Sequence, residues 1–126
     1  MKKILIVDDD PVNIMIFAEA LESEGYKILA ATSGEEALEC ASREENKPDF
    51  VLLDIIMPGI GGYEVCKMMK SNEKTRDITV MFMTGIEMRN LEYIKSIGAV
   101  DCLVKPFDFD LLAKKIKKYL EPGSPE

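Results

Sequence analysis

The sequence predicts a three-layer α/β domain built on a parallel β-sheet, and three observations predict it. Short, wholly apolar runs recur along the chain, as expected of parallel strands that are buried on both faces. Longer amphipathic stretches of helical pattern alternate with these runs. The chain has 126 residues, of which 47% are hydrophobic and 31% charged, the size and composition of one globular domain. We expect the domain to span residues 1–120 and residues 121–126 to form a flexible tail or linker stub.

The first half of the chain contains three predicted strands and two predicted helices. Residues 4–7 form the first strand, and Asp10 and Pro11 then suit the N-cap and first position of a helix that ends near Gly25. The side chains predicted to turn this helix toward the core are Ile16, Phe17, Ala20 and Leu21. A second strand over 26–31 precedes a helix over 33–45, whose Ser33 and Glu36 fit a capping box. A third strand over 50–53 is broken by the turn residues that follow it.

The second half continues the alternation. A helix over 62–71 begins at the glycine pair Gly61 and Gly62, which is expected only to add flexibility to the turn. The remaining predicted elements are a strand over 78–83, a helix over 88–97, a strand over 102–104, and a helix over 107–120 with Asp108 as its N-cap. With right-handed crossovers, these elements favour the flavodoxin-like (βα)5 fold with strand order 2-1-3-4-5. In such a sheet, ligands bind beyond the carboxyl ends of the strands, here between strands 1 and 3.

Composition and charge exclude several classes of protein. The net charge of −7 argues against nucleic-acid binding through this domain. Because there is no histidine, the chain can form neither a Ser-His-Asp triad nor a histidine-ligated zinc site, and it cannot carry phosphohistidine itself. No apolar run is long enough to span a membrane, and three widely spaced cysteines suit buried thiols in a reducing compartment. We therefore expect a cytoplasmic protein without a membrane contact.

Polar side chains follow four of the predicted strands at the edge where ligands should bind. The first strand is followed by Asp8, Asp9 and Asp10, and the other three strands end at Asp54, Thr84 and Lys105. Carboxylates brought close together repel one another, and a hard divalent cation such as Mg²⁺ relieves that repulsion. A carboxylate beside a metal, an ammonium and a hydroxyl can accept a phosphoryl group without an added acid or base. The pattern therefore predicts Mg²⁺-assisted phosphoryl chemistry.

Four segments that carry these residues, 7–11, 51–59, 83–85 and 98–107, resemble the CheY-like receiver domain of two-component response regulators in the same order. The resemblance covers residues 2 to about 120. It implies that Asp54 accepts a phosphoryl group from a phosphohistidine. It also implies that Asp9, Asp54 and the backbone carbonyl of Ile56 bind Mg²⁺ directly, with Asp8 acting through water. Thr84 and Lys105 would then hold the phosphoryl oxygens and report their arrival.

The resemblance also implies a class of partners. The phosphoryl donor would be a sensor histidine kinase or a histidine phosphotransfer protein, and the phosphorylated domain would switch a surface for a downstream protein or output domain. Such a domain is not an enzyme beyond its own phosphorylation and autodephosphorylation. Two alternatives stay open: a pseudo-receiver that binds proteins without switching, and a Mg²⁺-dependent hydrolase or nucleotidyl transferase. The chain could be a free-standing regulator or part of a longer protein.

Further positions bear on switching, lifetime and docking. Cys102 stands where the family usually has Tyr or Phe, so rotation of an aromatic switch is in doubt. Ile56 and Ile86, two residues after Asp54 and Thr84, cannot orient an attacking water and predict a long-lived phosphoryl group. An apolar patch near the acidic rim is expected to receive the partner that presents histidine, and its predicted members are Ile14, Met15 and Ala18.

Overall fold

The computed structural model describes residues 1–85 and 90–121 of the chain. Its five strands form one parallel sheet in the order β2-β1-β3-β4-β5, which confirms the predicted fold class and strand order. The strands are β1 (Lys3–Val7), β2 (Lys27–Ala31), β3 (Phe50–Asp54), β4 (Thr79–Thr84) and β5 (Asp101–Val104). The first switch in winding direction lies between β1 and β3, so ligands are expected beyond the carboxyl ends of these two strands.

In the described residues, five helices alternate with the strands, and they are α1 (Pro11–Glu22), α2 (Gly34–Ser42), α3 (Gly62–Lys70), α4 (Leu91–Ser96) and α5 (Phe109–Leu120). The three predicted N-caps are confirmed, because the side chains of Asp10, Ser33 and Asp108 each accept a backbone N–H from the following turn. The predicted start of the fourth helix near Met88, and most of the predicted tail, lie outside the described residues. Within the described residues, no helix is long and apolar enough to cross a membrane.

The sheet separates two hydrophobic cores because successive strand side chains point to opposite faces. In β1, Ile4 and Ile6 pack on the same side as α1 and α5, whereas Leu5 and Val7 pack on the side of α2, α3 and α4. The other central strands, β3 and β4, divide their side chains in the same way. This is the three-layer arrangement that the uninterrupted apolar runs predicted, with the central strands buried on both faces.

The orientation of α1 differs from the sequence prediction. The helix turns Ile14, Phe17 and Leu21 into the core, whereas Ile16 is 45% exposed. Ile16 lies about 100° around the helix from Phe17, and the rotation of α1 about its axis turns that side of the helix toward solvent. The prediction that Ile16 faces the core was wrong, and so was the expectation that Ile14 points partly outward as a member of the docking patch.

A polar cluster ties α5 to the last strand. The ammonium of Lys115 lies 2.7 Å from Oδ2 of Asp101, and the hydroxyl of Tyr119 donates to the same oxygen at 3.1 Å. Burial alone would raise the pKa of Asp101, but the hydrogen bonds from Lys115, from the N–H of Cys102 and from Tyr119 outweigh it and lower the pKa. The ionised carboxylate of Asp101 therefore stabilises the fold.

We expect Asp101→Asn to destabilise the protein by about 2 kcal/mol near neutral pH, because a charged acceptor of several hydrogen bonds is lost. A carboxyl whose pKa is lowered by folding contributes stability above its ordinary pKa and loses it as the pH falls through the folded value. The difference between the two proteins should therefore shrink as the pH falls below 3.8, the ordinary value for aspartate. Urea unfolding over a pH series measures this, with the exposed Asp77→Asn as control. A difference that does not change with pH would contradict the assignment.

Candidate functional site

The carboxyl edge of the sheet brings three carboxylates together. Asp8 and Asp9 follow directly after β1, and Asp54 is the last residue of β3, the neighbouring strand. Carboxylate oxygens from these three residues all lie within 4.8 Å of one another. Since β1 and β3 pair in register at Val7 and Leu53, the next residues of both strands emerge side by side. The sheet topology therefore brings together the three side chains that the sequence analysis selected.

Asp8 lies beneath the surface of this cluster with 2% of its surface exposed. Its Oδ1 accepts the backbone N–H of Asp10 at 2.9 Å, and its Oδ2 accepts the side-chain amide of Asn13 at 3.2 Å. Burial raises the pKa of Asp8, while these two hydrogen bonds oppose the rise. Asp8 is therefore a buried carboxylate that could contribute negative charge to a cation held by the more accessible members of the cluster.

Asp54 is also buried, with 7% of its surface exposed, but it lines an open cleft. Its Oδ1 accepts the backbone N–H of Ile56 at 3.3 Å. Burial and the nearby charge of Asp8 raise the pKa of Asp54, whereas the Ile56 hydrogen bond and the charge of Lys105 lower it. A positive charge in the cleft would favour the ionised carboxylate, which is the nucleophilic form.

The cleft has a volume of about 370 Å³ and combines the predicted carboxylate, hydroxyl and ammonium groups. Its lining residues are Asp9, Asp54, Ile55, Ile56, Thr84, Gly85 and Lys105. The Thr84 hydroxyl, at the end of β4, donates to the carbonyl of Gly85 at 2.9 Å. Lys105 follows β5, and its backbone N–H donates to the carbonyl of Thr84 at 2.9 Å. Thr84 and Lys105 therefore come from neighbouring strands and line the same cleft as Asp54.

The donor set of the cluster fits a hard divalent cation. It consists of closely spaced carboxylate oxygens from the buried Asp8 and Asp54 and the exposed Asp9. Hard cations such as Mg²⁺ prefer oxygen ligands and need only one or two carboxylates beside water. Burial raises the pKa of both Asp8 and Asp54, and a cation bound among the three carboxylates would favour their ionised forms. The residues present therefore suit Mg²⁺.

The loop after Asp54 is held by a close approach of α3. Gly62, the first residue of α3, donates its N–H to the carbonyl of Ile55 at 2.8 Å. A Cβ atom at Gly62 would lie 2.3 Å from the backbone oxygen of Asp54 and 2.8 Å from Cα of Ile55. The expectation that this glycine only adds flexibility was therefore wrong: Gly62 lets the helix pack directly against the backbone that carries Asp54.

The predicted lifetime and switch residues have different environments. Ile56 is 65% exposed and lines the cleft, whereas Ile86 lies outside the described residues. Cys102 is buried in the core on the side of α3 and α4, and its Cα pairs in register with that of Phe82 on β4. The ring of Phe82 packs edge to face against Tyr63, with the centroids 5.3 Å apart. Aromatic packing next to Cys102 is therefore supplied by other elements.

The predicted docking patch is only partly exposed. Met15 is 61% exposed, but Ile14 is buried and Ala18 is half-buried against the core. Val12 and Ile16, at 54% and 45% exposed, share the outer face of the helix with Met15. We refer to Val12, Met15 and Ile16 as the α1 apolar face; it begins two residues after Asp10. Its spacing of three and four residues was the sequence signal that could have identified it.

A comparison with protein families matches residues 4–117 to the response regulator receiver domain. The chain is 37% identical over 119 residues to sporulation initiation phosphotransferase F of Bacillus subtilis, covering 94% of each chain. It is 41% identical, over 94% of its length, to a Vibrio cholerae protein named probable cyclic di-GMP phosphodiesterase. The chain spans only 26% of that relative's length, so the phosphodiesterase name describes a much longer protein.

A solved structure is similar in both fold and sequence. It is the response regulator protein TrrA of Thermotoga maritima in complex with Mg²⁺ and beryllofluoride, with a TM-score of 0.82 and 40% identity. The alignment covers 95% of this chain and all of that one. Together with the sheet order and the acidic cleft, these similarities show that the chain belongs to the family of response regulator receiver domains.

Proposed function

We propose that this domain is a phosphorylatable switch in which Asp54 accepts a phosphoryl group from a phosphohistidine of a partner protein. The observation that carries the proposal is the shared cleft of Asp9, Asp54, Thr84 and Lys105. These side chains lie at the ends of four strands that are separated in sequence. The local structure of any one strand therefore does not explain why all four side chains line the same cleft. The cleft is open, which leaves Asp54 accessible to a donor despite its low exposure.

In the proposed reaction, a carboxylate oxygen of Asp54 forms a bond to phosphorus while the bond between phosphorus and the donor's histidine nitrogen breaks. The nitrogen keeps the electron pair of that bond, and the product is an acyl phosphate. Lys105 and the hydroxyl of Thr84 suit the binding of the phosphoryl oxygens, whose charge needs to be neutralised during transfer. The N–H of Ile56 holds the Asp54 carboxylate toward the cleft before the reaction.

Mg²⁺ would be held by Asp9 and Asp54 with the carbonyl of Ile56, and by Asp8 through water. When bound, the cation supplies positive charge that neutralises the phosphoryl oxygens and the carboxylate cluster. The complex of Mg²⁺ and beryllofluoride in the Thermotoga maritima relative supports this part of the proposal. Removal of Mg²⁺ with a chelator should therefore stop phosphorylation of this chain.

The partners belong to the same proposal. A histidine kinase or histidine phosphotransfer protein would supply the phosphoryl group, and a downstream protein or an output domain would respond to the modified form. The name of the Bacillus subtilis relative, a phosphotransferase, supports a place in a chain of phosphoryl transfers. A cytoplasmic location is also proposed, and the three buried cysteines support it because thiols persist in a reducing compartment.

Intact-protein mass spectrometry after incubation with acetyl phosphate and Mg²⁺ tests the proposal. We expect a single phosphoryl adduct on the parent chain and on the control Asp77→Ala, and no adduct on Asp54→Ala. Mg²⁺ binding without any adduct would favour a pseudo-receiver, and continuous turnover of a phosphoester would favour a hydrolase. An adduct that persists in Asp54→Ala would contradict the assigned acceptor.

We expect Met15→Asp to slow phosphoryl transfer from a phosphorylated donor protein about tenfold, equivalent to a loss of about 1.4 kcal/mol in binding. A charge on the α1 apolar face would be buried against the partner, whereas acetyl phosphate needs no such contact. The rate with acetyl phosphate should therefore stay at the parent value. Met68→Asp, at a methionine that is 48% exposed on α3, is the matched control. Equal slowing by both substitutions would rule out specific docking on α1.

The exposed Ile56 beside the cleft leads to a prediction about lifetime. We expect Ile56→Asn to speed loss of the phosphoryl group about tenfold, a change of about 1.4 kcal/mol in the barrier, because an amide can orient an attacking water. The decay of the adduct, followed by mass after the donor is removed, measures this rate. Decay of the parent within seconds, or an unchanged rate in the variant, would show that Ile56 does not protect the acyl phosphate.

A further inference from the structure

Asn13 is not among the residues that the receiver resemblance selected, yet it contacts the carboxylate cluster. It lies in the first turn of α1, half-buried, three residues after the N-cap Asp10. Its side-chain nitrogen donates to Oδ2 of Asp8 at 3.2 Å. Asparagine has a low helix propensity, because its amide competes with the backbone for hydrogen bonds. Helix propensity therefore does not explain why asparagine occupies this position, whereas the hydrogen bond to Asp8 does.

The contact adds a second restraint to the Asp8 carboxylate. Two donors from the described part of the chain each hold a different oxygen of Asp8: the backbone N–H of Asp10 holds Oδ1 at 2.9 Å, and the side-chain amide of Asn13 holds Oδ2. Together these two bonds fix the plane of the carboxylate. Each carboxylate oxygen can accept a second hydrogen bond, so both oxygens retain a lone pair for a cation or its bound water. The donor of Asp10 is a backbone N–H, which a substitution leaves in place. The donor of Asn13 is a side-chain amide, so a substitution at Asn13 removes its hydrogen bond.

The chemistry of the amide suits this position. A lysine in place of Asn13 would neutralise Asp8 and compete with the cation, and an acid would add a further charge to oxygens already within 4.8 Å of one another. The amide instead donates a hydrogen bond without changing the net charge of the cluster. Such outer contacts of metal-binding carboxylates set the orientation of the ligand and tune metal affinity.

We propose that Asn13 is a positioning residue that orients the Asp8 carboxylate for Mg²⁺ binding in the cleft. The inference rests on the proposed function, since it takes the cleft to be the Mg²⁺ site. It goes beyond that function by assigning part of the cation affinity to a helix side chain that lies behind the cleft. Asn13 touches neither the phosphoryl group nor its acceptor Asp54 in this assignment; it acts through Asp8.

Titration of the unphosphorylated protein with MgCl₂, followed by NMR shifts of the Thr84 and Gly85 amides, tests the proposal. We expect Asn13→Ala and Asn13→Leu to weaken Mg²⁺ binding about tenfold. Alanine shortens the side chain, whereas leucine keeps the number and branching of its heavy atoms and lacks only the polar groups, so agreement between the two variants assigns the loss to the missing donor. Both replacements have higher helix propensity than asparagine, so α1 should remain folded. Glu19→Ala, at an exposed position further along α1, should bind Mg²⁺ like the parent chain.

The dependence of acetyl phosphate labelling on Mg²⁺ separates positioning from a general structural defect. In both Asn13 variants, the Mg²⁺ concentration for half-maximal rate should rise about tenfold, while the rate at saturating Mg²⁺ should return to within about twofold of the parent. Parent-like Mg²⁺ affinity in both variants, or no Mg²⁺ binding by the parent itself, would overturn the inference. A parent chain that binds Mg²⁺ but forms no phosphoryl adduct would refute the proposed function and leave the role of Asn13 measurable by titration alone.

Discussion

Gly62→Ala is expected to destabilise the protein by about 3 kcal/mol, the upper range for an added methyl group in a tightly packed site. The new Cβ would lie 2.3 Å from the carbonyl oxygen of Asp54 and 2.8 Å from Cα of Ile55. Both atoms belong to the backbone, so no side chain can rotate away to relieve the contact. The start of α3 or the end of β3 must move instead, and the hydrogen bond of 2.8 Å from Gly62 to Ile55 would be strained.

Gly61→Ala is the matched control for this prediction. A Cβ at Gly61 would lie 3.3 Å from the carbonyl oxygen of Ile55, a tight contact that small shifts can relieve. We expect this variant to lose about 1 kcal/mol or less. Urea unfolding measures both free energies, and acetyl phosphate labelling of the folded fraction reports whether Asp54 is displaced. Equal stability of the two variants would mean that the approach of α3 to Asp54 is less tight than the structure describes.

Lys105→Met is expected to slow phosphorylation of Asp54 by acetyl phosphate roughly hundredfold, the usual effect of removing one charge-stabilising donor from a reactive site. The substitution keeps most of the side-chain length and removes the ammonium group. The charge of Lys105 is among the effects that lower the pKa of Asp54, whereas burial and Asp8 raise it. Without the ammonium, the pKa of Asp54 should rise further, and less of the carboxylate would be ionised at a given pH.

Two measurements check this prediction. The labelling rate, followed by intact mass at saturating Mg²⁺, should fall in Lys105→Met and stay unchanged in Lys114→Met, at an exposed lysine on α5. A ¹³C NMR titration of the Asp54 carboxyl without Mg²⁺ should show its pKa shifted upward in Lys105→Met alone. A parent-like rate in Lys105→Met would mean that the ammonium does not assist transfer, even though it lines the cleft.

The fold and the edge that carries the site could be predicted because both depend on pattern rather than on detailed packing. Unbroken apolar runs predicted strands buried on both faces, and the alternation of strands with helices predicted a parallel sheet. Once that sheet was inferred, the carboxyl ends of its strands had to meet at one edge. The close spacing of Asp8, Asp9 and Asp54 followed from topology alone and needed no knowledge of side-chain contacts.

The features that sequence could not predict depend on the angle and distance at which elements pack. The rotation of α1 about its axis decides that Ile14 is buried and Ile16 exposed, and both residues are isoleucine. The approach of α3 to β3 decides that Gly62 is a packing requirement, whereas a glycine pair in a sequence signals only a turn. The contact of Asn13 with Asp8 requires that the first turn of α1 lie close to the end of β1, and the sequence does not give that distance.

Locating the phosphoryl group in the chain is the most direct test of the central claim, which is that the cleft at the carboxyl edge presents Asp54 to a phosphoryl donor. The protein would be labelled with acetyl phosphate and Mg²⁺, the acyl phosphate trapped by borohydride reduction, and the peptides fragmented in a mass spectrometer. We expect the reduced residue to be Asp54, with Asp8 and Asp9 unmodified. Reduction at another carboxylate, or a phosphoryl group found on a hydroxyl side chain, would contradict the account.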